Sequence, residues 1–183
     1  MMNPVMLYFG GPGHKGTCLR QVESGVKNKL CSYFYPEQLS SWLEIAKDVP
    51  GNILIDSGAF SAWNKRVSID FDKYIEYCKT FIPLVEKQGK IVRVVNLDVI
   101  PGKKGTSGDL NRSVKREDKE IIENAAKRGY ENLLYFKKKG ITPIHVFHQG
   151  ESFRWLDKMI QETDYIGVSP ANDLSMSQKG LWI

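Results

Sequence analysis

Ile53-Leu54-Ile55-Asp56-Ser57-Gly58-Ala59-Phe60-Ser61-Ala62-Trp63 is the stretch around which the rest of the chain falls into order. Three aliphatic residues run straight into an acid, a small hydroxyl residue and a glycine. A short apolar run closed by turn residues is the pattern of a strand covered on both faces that ends in a sharp turn. Asp56 then stands where the strand leaves the core. In parallel α/β proteins ligands bind at the carboxyl ends of strands. A carboxylate there is a candidate general acid/base or nucleophile. The plainer alternative is an acid that merely caps the helix following it.

The same unit recurs in both directions along the chain. Residues 5–9, 30–35, 91–100, 144–150 and 165–170 read as five further strands, most of them stopped by Gly or Pro. Helices are expected over 17–27, from Pro36 to Ala46 or Lys47, over 69–87, over 114–138 and over 152–161. The third is the clearest: Phe71, Tyr74, Ile75, Cys78, Ile82 and Val85 recur at spacings of three and four. Asp70 or Ser68 is placed to cap it, and Pro83 to kink it. Gly129-Tyr130 is a candidate break in the fourth, and Gly140 fits its C-terminal cap.

Six strands alternating with helices imply an α/β domain with a parallel sheet and right-handed crossovers. A closed (β/α)8 barrel usually needs about 250 residues, and this chain has 183. Two architectures therefore stay open for a single domain over 1–183: an open doubly wound sheet, or TIM-barrel-like repeats that form an incomplete barrel lacking its last two βα units.

Composition narrows the class. The chain is 42% hydrophobic and 26% charged, enough for one cored domain. No apolar run approaches the roughly 20 residues that span a bilayer, and the first residues carry no leader pattern. Three cysteines, Cys18, Cys31 and Cys78, have no CxxC spacing. That argues against a disulfide framework or a cysteine zinc site and for reduced thiols in the cytoplasm. A formal charge of +5 is compatible with a polyanionic partner. The basic residues that follow a strand or a glycine-rich turn are the candidate phosphate contacts: His14, Lys15, Lys103, Lys104 and Arg112. The turn at 10–17 is not a nucleotide P-loop, because Lys15 precedes Gly16 instead of following it.

Side chains alternate along a strand, so Asp98 shares a face with Asn96, and Gln149 with His145. Asn96 and His145 are expected one layer deeper, with Asn96 buttressing Asp98. Carboxylates and an amide at neighbouring strand ends suit a heterocycle with an amidine-like edge, such as guanine. His145 and His148 have HxxH spacing, but residues three apart on a strand face opposite ways, so no metal site is expected. Trp63, Trp155 and Trp182 could stack on bases, although core packing is the commoner fate.

Four segments carry a resemblance. Asp56-Ser57-Gly58-Ala59-Phe60, Asn96-Leu97-Asp98, Val146-Phe147-His148-Gln149-Gly150 and Tyr165-Ile166-Gly167-Val168 resemble, in the same order, the DSGGF, strand-end acid, VQGG-like and YAIGG-like segments of the tRNA-guanine transglycosylases. They look closest to the phage DNA 7-deazaguanine transglycosylases. The resemblance covers about residues 50–170 and implies a (β/α)8 barrel that exchanges guanine for a 7-deazaguanine base in DNA or tRNA. By resemblance Asp56 is the acid/base near the purine. Ser57, Gly58, Phe60, Asp98, Gln149, Gly150 and Gly167 then line the base. Asp98 holds the guanine edge, Gln149 its carbonyl side, and Gly167 offers a backbone N–H. The chemistry implied is double displacement at C1′ of a flipped-out nucleotide. Ala59 and Ser61 depart from the family's Gly and Gln. The family's nucleophilic aspartate lies after a seventh strand, beyond the last one read here, and Asp173 comes too early for that role. The family's Cys/His zinc site has no counterpart, so no cofactor is expected. An incomplete barrel would leave open sheet edges, which favours a second copy or a complementing chain as partner.

Overall fold

The computed structural model describes residues 6–101, 116–148 and 150–169, with only the backbone described at 116–118. Among them the chain is a mixed α/β protein with six helices and two small parallel sheets, one of three strands and one of two. This corrects the expected barrel-like array of about six strands. The elements in order are α1 (Lys15–Glu23), β1 (Lys29–Ser32), α2 (Glu37–Ile45), β2 (Asn52–Asp56), α3 (Ala59–Asn64), α4 (Phe71–Lys87), β3 (Ile91–Val94), α5 (Arg116–Lys138), β4 (His145–His148), α6 (Phe153–Glu162) and β5 (Ile166–Ser169). Two compact units emerge: residues 1–58 with 70–95, and residues 59–69 with 96–183. No helix of the described residues is long and apolar enough to cross a membrane.

The first unit holds the sheet β1-β2-β3, parallel throughout, with Cys31 opposite Ile55 and Ile55 opposite Val94. Ile53 and Ile55 are fully buried, while Asn52, Leu54 and Asp56 on the other face are only partly covered. The sheet is therefore closed tightly on one face, not equally on both. Helices α2 and α4 supply apolar stripes. In α2 the buried side chains are Gln38, Leu39, Trp42 and Leu43; in α4 they are Tyr74, Ile75, Cys78 and Val85. Each large apolar side chain so buried contributes on the order of 1.5–3 kcal/mol. Asp70 is the cap of α4, accepting from the Lys73 N–H at 3.1 Å, and α4 runs on through Pro83 to Lys87.

The missing strand length has a physical cause. Ladders stop where distant side chains take the backbone groups. Of the expected strand over 5–9, the described residues 6–9 contribute one parallel bridge, Phe9 with Lys29. Met6, Leu7 and Phe9 stay exposed, and Asn28 Nδ2 donates to the Leu7 carbonyl instead of a ladder partner. At the end of β1 the Ser32 N–H donates to Gln38 Oε1 at 2.9 Å, and residues 33–35 turn. At the end of β3 the Tyr74 hydroxyl donates to the Val95 carbonyl at 2.8 Å. The chain beyond it belongs to the second unit, where Asn132 Nδ2 donates to the Leu97 carbonyl. Asp98 accordingly lies in a loop four residues after β3, not on a strand.

In the second unit β4 and β5 pair in parallel, Val146 opposite Gly167. Their core is Ala126, Phe147, Trp155 and Met159, with Tyr130, Leu156 and Ile166 packed against it. Helix α5 is unbroken at Gly129-Tyr130. A Cβ at Gly129 would lie 3.3 Å from His145 Cε1, so this glycine permits a close ring contact and does not end the helix. Gly140, at φ +87°, ends it as expected. The Ile141 N–H returns to the Phe136 carbonyl and the Gly140 N–H to the Lys137 carbonyl, a Schellman-type closure.

Candidate functional site

Asp56 is the last residue of β2, paired with Ser32. Its Oδ2 accepts from the Gly58 N–H at 2.9 Å, and its carbonyl accepts from the Tyr33 N–H. The carboxylate thus closes its own turn. Ser57 is buried. Gly58 sits at φ +73°, and a Cβ there would meet Phe34 Cβ at 2.5 Å and Ser32 Oγ at 2.7 Å. Only glycine meets both demands. Ala59 to Asn64 then form the short helix α3, which the sequence reading lacked. Phe60 is half-exposed and stacks on Trp63, centroids 6.4 Å apart.

Asp98 stands in a different setting. Its Oδ2 lies 3.6 Å from His148 Nε2, and His148 Nδ1 lies 3.1 Å from Glu151 Oε1. The imidazole is therefore clamped between two carboxylates. The local sequence builds this clamp: His148 ends β4, Gly150 takes φ +98°, and Glu151 is turned back, its N–H donating to the His148 carbonyl. Burial disfavours a charged ring, but hydrogen bonding to Asp98 and Glu151, together with their charges, outweighs it and raises the His148 pKa to about 10.

Beneath lies a second, neutral histidine. Asn96 Nδ2 donates to the Gly129 carbonyl at 2.8 Å and to His145 Nδ1 at 2.7 Å. The Asn96 amide has no further hydrogen, so Nδ1 accepts and the proton of His145 resides on Nε2. Burial, partly countered by Asp98, lowers the His145 pKa to about 4. Asn96 and His145 do meet, through their hydrogen bond, although Asn96 lies beyond the end of β3. Asn96 does not buttress Asp98, however, because both amide hydrogens are committed elsewhere.

Four buried atoms here have no hydrogen-bond partner among the described residues: Asn96 Oδ1, Asp98 Oδ1, His145 Nε2 and Glu151 Oε2. Asp98, His145, His148 and Glu151 line a cavity of about 10 Å3 against Ala125, Ala126 and Gly129 of α5. That volume suits one water molecule, and the orphan set of one N–H and several acceptor oxygens matches what a water can bridge. No group of three or more His, Cys, Asp or Glu among the described residues could hold a metal ion. A protonated Nε2 also makes His145 unfit as a ligand.

The remaining candidates separate. Gly150 is exposed, and Gly167 lies in the β4–β5 ladder, where a Cβ would press on Val146 Cγ2 at 3.2 Å. His14 precedes α1 and is exposed. Lys15 is ion-paired with Glu44 at 2.6 Å, which competes with any phosphate contact. Gln149, Lys103, Lys104, Arg112, Asp173 and Trp182 lie outside the described residues. Trp63 and Trp155 are buried. The three cysteines are free and buried, and burial pushes the Cys31 and Cys78 thiols up to about 12, which makes them poor nucleophiles.

Sequence reasoning weighed His148 only as a metal ligand and missed Glu151 altogether. The usable signal was His-x-Gly-Glu: a glycine between two titratable groups three apart allows the backbone to fold one onto the other. No family model, no curated protein and no solved structure matches the chain.

Proposed function

We propose that the chain recognises a guanine-type base, as the guanine transglycosylases do, and takes part in exchanging guanine for a 7-deazaguanine base in DNA or tRNA. The observation that carries this reading is Asp98: one carboxylate oxygen faces the His148 cation, and the other is buried with no partner among the described residues. An acceptor of that kind fits the ring N–H and amino group of guanine, and the buried setting penalises a base that lacks those donors. The order of the four quoted segments supports it. The present cavity has room for a water and not for a purine, so entry of a base requires that wall to open. The three buried thiols fit a reducing compartment such as the cytoplasm.

A second reading is favoured by Asp56, whose carboxylate is engaged by its own turn. On that reading the chain binds a purine or a nucleic acid without chemistry, alongside a complementing chain or a second copy. Two measurements separate the readings. Labelled guanine is offered with DNA and with tRNA, and incorporation is counted; calorimetry with guanine and 7-deazaguanine runs in parallel. Binding with incorporation supports exchange, binding alone supports the second reading, and neither of the two defeats both.

A further inference from the structure

Resting on the purine reading, we infer that His148 is a positioning residue for base recognition: Glu151 holds its Nδ1, its Nε2 fixes Asp98 Oδ2, and Asp98 Oδ1 is thereby left as the acceptor for the donor edge of the base.

The clamp is a line of three groups, Glu151 Oε1 to His148 Nδ1 at 3.1 Å and His148 Nε2 to Asp98 Oδ2 at 3.6 Å. Nδ1 is within hydrogen-bond distance of Glu151 and Nε2 faces Asp98 at ion-pair distance, an arrangement that favours the cationic ring. Asp98 cannot then turn its engaged oxygen away without losing an ion pair in a setting where neither partner is freely solvated; their side chains are only 17% and 29% exposed. The fixed carboxylate shows its second oxygen in one direction only. A carboxylate free to rotate would meet donor and acceptor edges alike. One oriented by the neighbouring imidazole discriminates for donors, because an acceptor atom of a wrong base would face it lone pair to lone pair. His145 is the third titratable group at this wall. With its Nδ1 taken by Asn96, it stays neutral and adds no competing cation. The face that α5 presents to this cavity, Ala125, Ala126 and Gly129, is uncharged. The clamp therefore orients Asp98 from within the β4–α6 turn.

The test uses the full chain and two independent readouts. The first is guanine affinity by calorimetry between pH 6 and 9, with hypoxanthine, which lacks the amino group, as the control ligand. His148→Gln is expected to weaken guanine binding at least tenfold and to shrink the preference over hypoxanthine, while His148→Lys, which restores a cation, recovers most of both. Glu151→Gln is expected to weaken guanine binding about threefold. The second readout is the imidazole resonance of His148 in the unliganded protein. It is expected to stay in the cationic form past pH 8 in the wild type and to titrate at lower pH in Glu151→Gln. A His148→Gln variant with wild-type guanine affinity and selectivity overturns the inference. So does a wild-type His148 that titrates at the ordinary value for histidine. A wild type with no guanine affinity overturns the purine reading and the ligand half of this one, and the resonance then decides the clamp alone.

Discussion

The ends of β2 and β4 look alike in the sequence, each an apolar run closing on a polar group and a glycine, yet they do opposite things with their polar residues. At β2 the acid accepts from a backbone N–H two residues on, Asp56 Oδ2 from Gly58. At β4 two of the three contacts reach across the unit, Asp98 to His148 and His145 to Asn96, 49 positions away, and the third, His148 to Glu151, is made within the turn that follows. Local satisfaction makes a turn. Non-local satisfaction leaves orphaned atoms around a small cavity, and such atoms are what a ligand can use. The lesson is that an acid at a strand end is a site candidate only after its neighbours' backbone N–H groups are accounted for.

The largest effect that sharpens this contrast lies in the buried histidine. His145 has a folded-state pKa lowered to about 4, below its unfolded value. Its contribution to stability is therefore complete above pH 6.5 and is lost as pH falls from there through 4, by up to about 3 kcal/mol. Urea unfolding across that range should show the acid slope, and His145→Gln should remove most of it. An unchanged slope in that variant would mean that other groups carry the acid limb. His148 carries the opposite sign: its raised pKa gives stability that is complete below pH 6.5 and is lost as pH rises through about 10.

Next in size is Gly58→Ala, which meets both a left-handed backbone and a Cβ contact of 2.5 Å with Phe34. A loss of about 3 kcal/mol is expected in denaturant unfolding. Tolerance within a few tenths of that scale would show that the β2 turn has another conformation open to it. Asn96→Ala removes two donors from a fully buried position and leaves the His145 Nδ1 lone pair unpaired. The expected cost is about 2 kcal/mol, together with loss of the fixed tautomer, readable in the His145 ring resonances. The smallest effect is assigned to Asp56→Asn. Its amide oxygen still accepts from Gly58, so stability should change by less than about 1 kcal/mol. A guanine affinity that falls with this substitution, at unchanged stability, would return Asp56 to the site and weaken the contrast between the two strand ends.

Much of the fold was legible because it is local. The α4 stripe, with the Asp70 cap, follows from spacing and from one side-chain bond to the Lys73 N–H. The β2 run, the parallel pairing implied by alternating elements, and the Gly140 closure follow equally from residues near one another. The strand lengths were not legible. Nothing near Leu30 announces that Gln38 Oε1 will take the Ser32 N–H, or near Ile91 that the Tyr74 hydroxyl will take the Val95 carbonyl. The barrel expectation failed for that reason: it extended each apolar run as far as its composition allowed, while side chains from other elements ended the ladders early. The site was half legible. Asp98 as a polar group after an apolar run, and the neighbourhood of Asn96 and His145, were legible; the strand parity used to place them was not borne out, because β3 ends at Val94. The clamp was not legible, because parity argues within a strand and the clamp is made by the turn after it.

The sequence by itself determined five of the six described helices, the short α3 excepted, and, through the alternation of helices with apolar runs, that the strands pair in parallel, since these rest on periodicity and element order. Only the tertiary structure decided where each strand stops, which acid is a turn-former, and why His145 is neutral while His148, three residues on, is a cation. Those outcomes depend on burial and on partners distant in the chain or folded back by a turn, and the free energy of a charge is fixed by that surrounding, not by the identity of its neighbours in sequence.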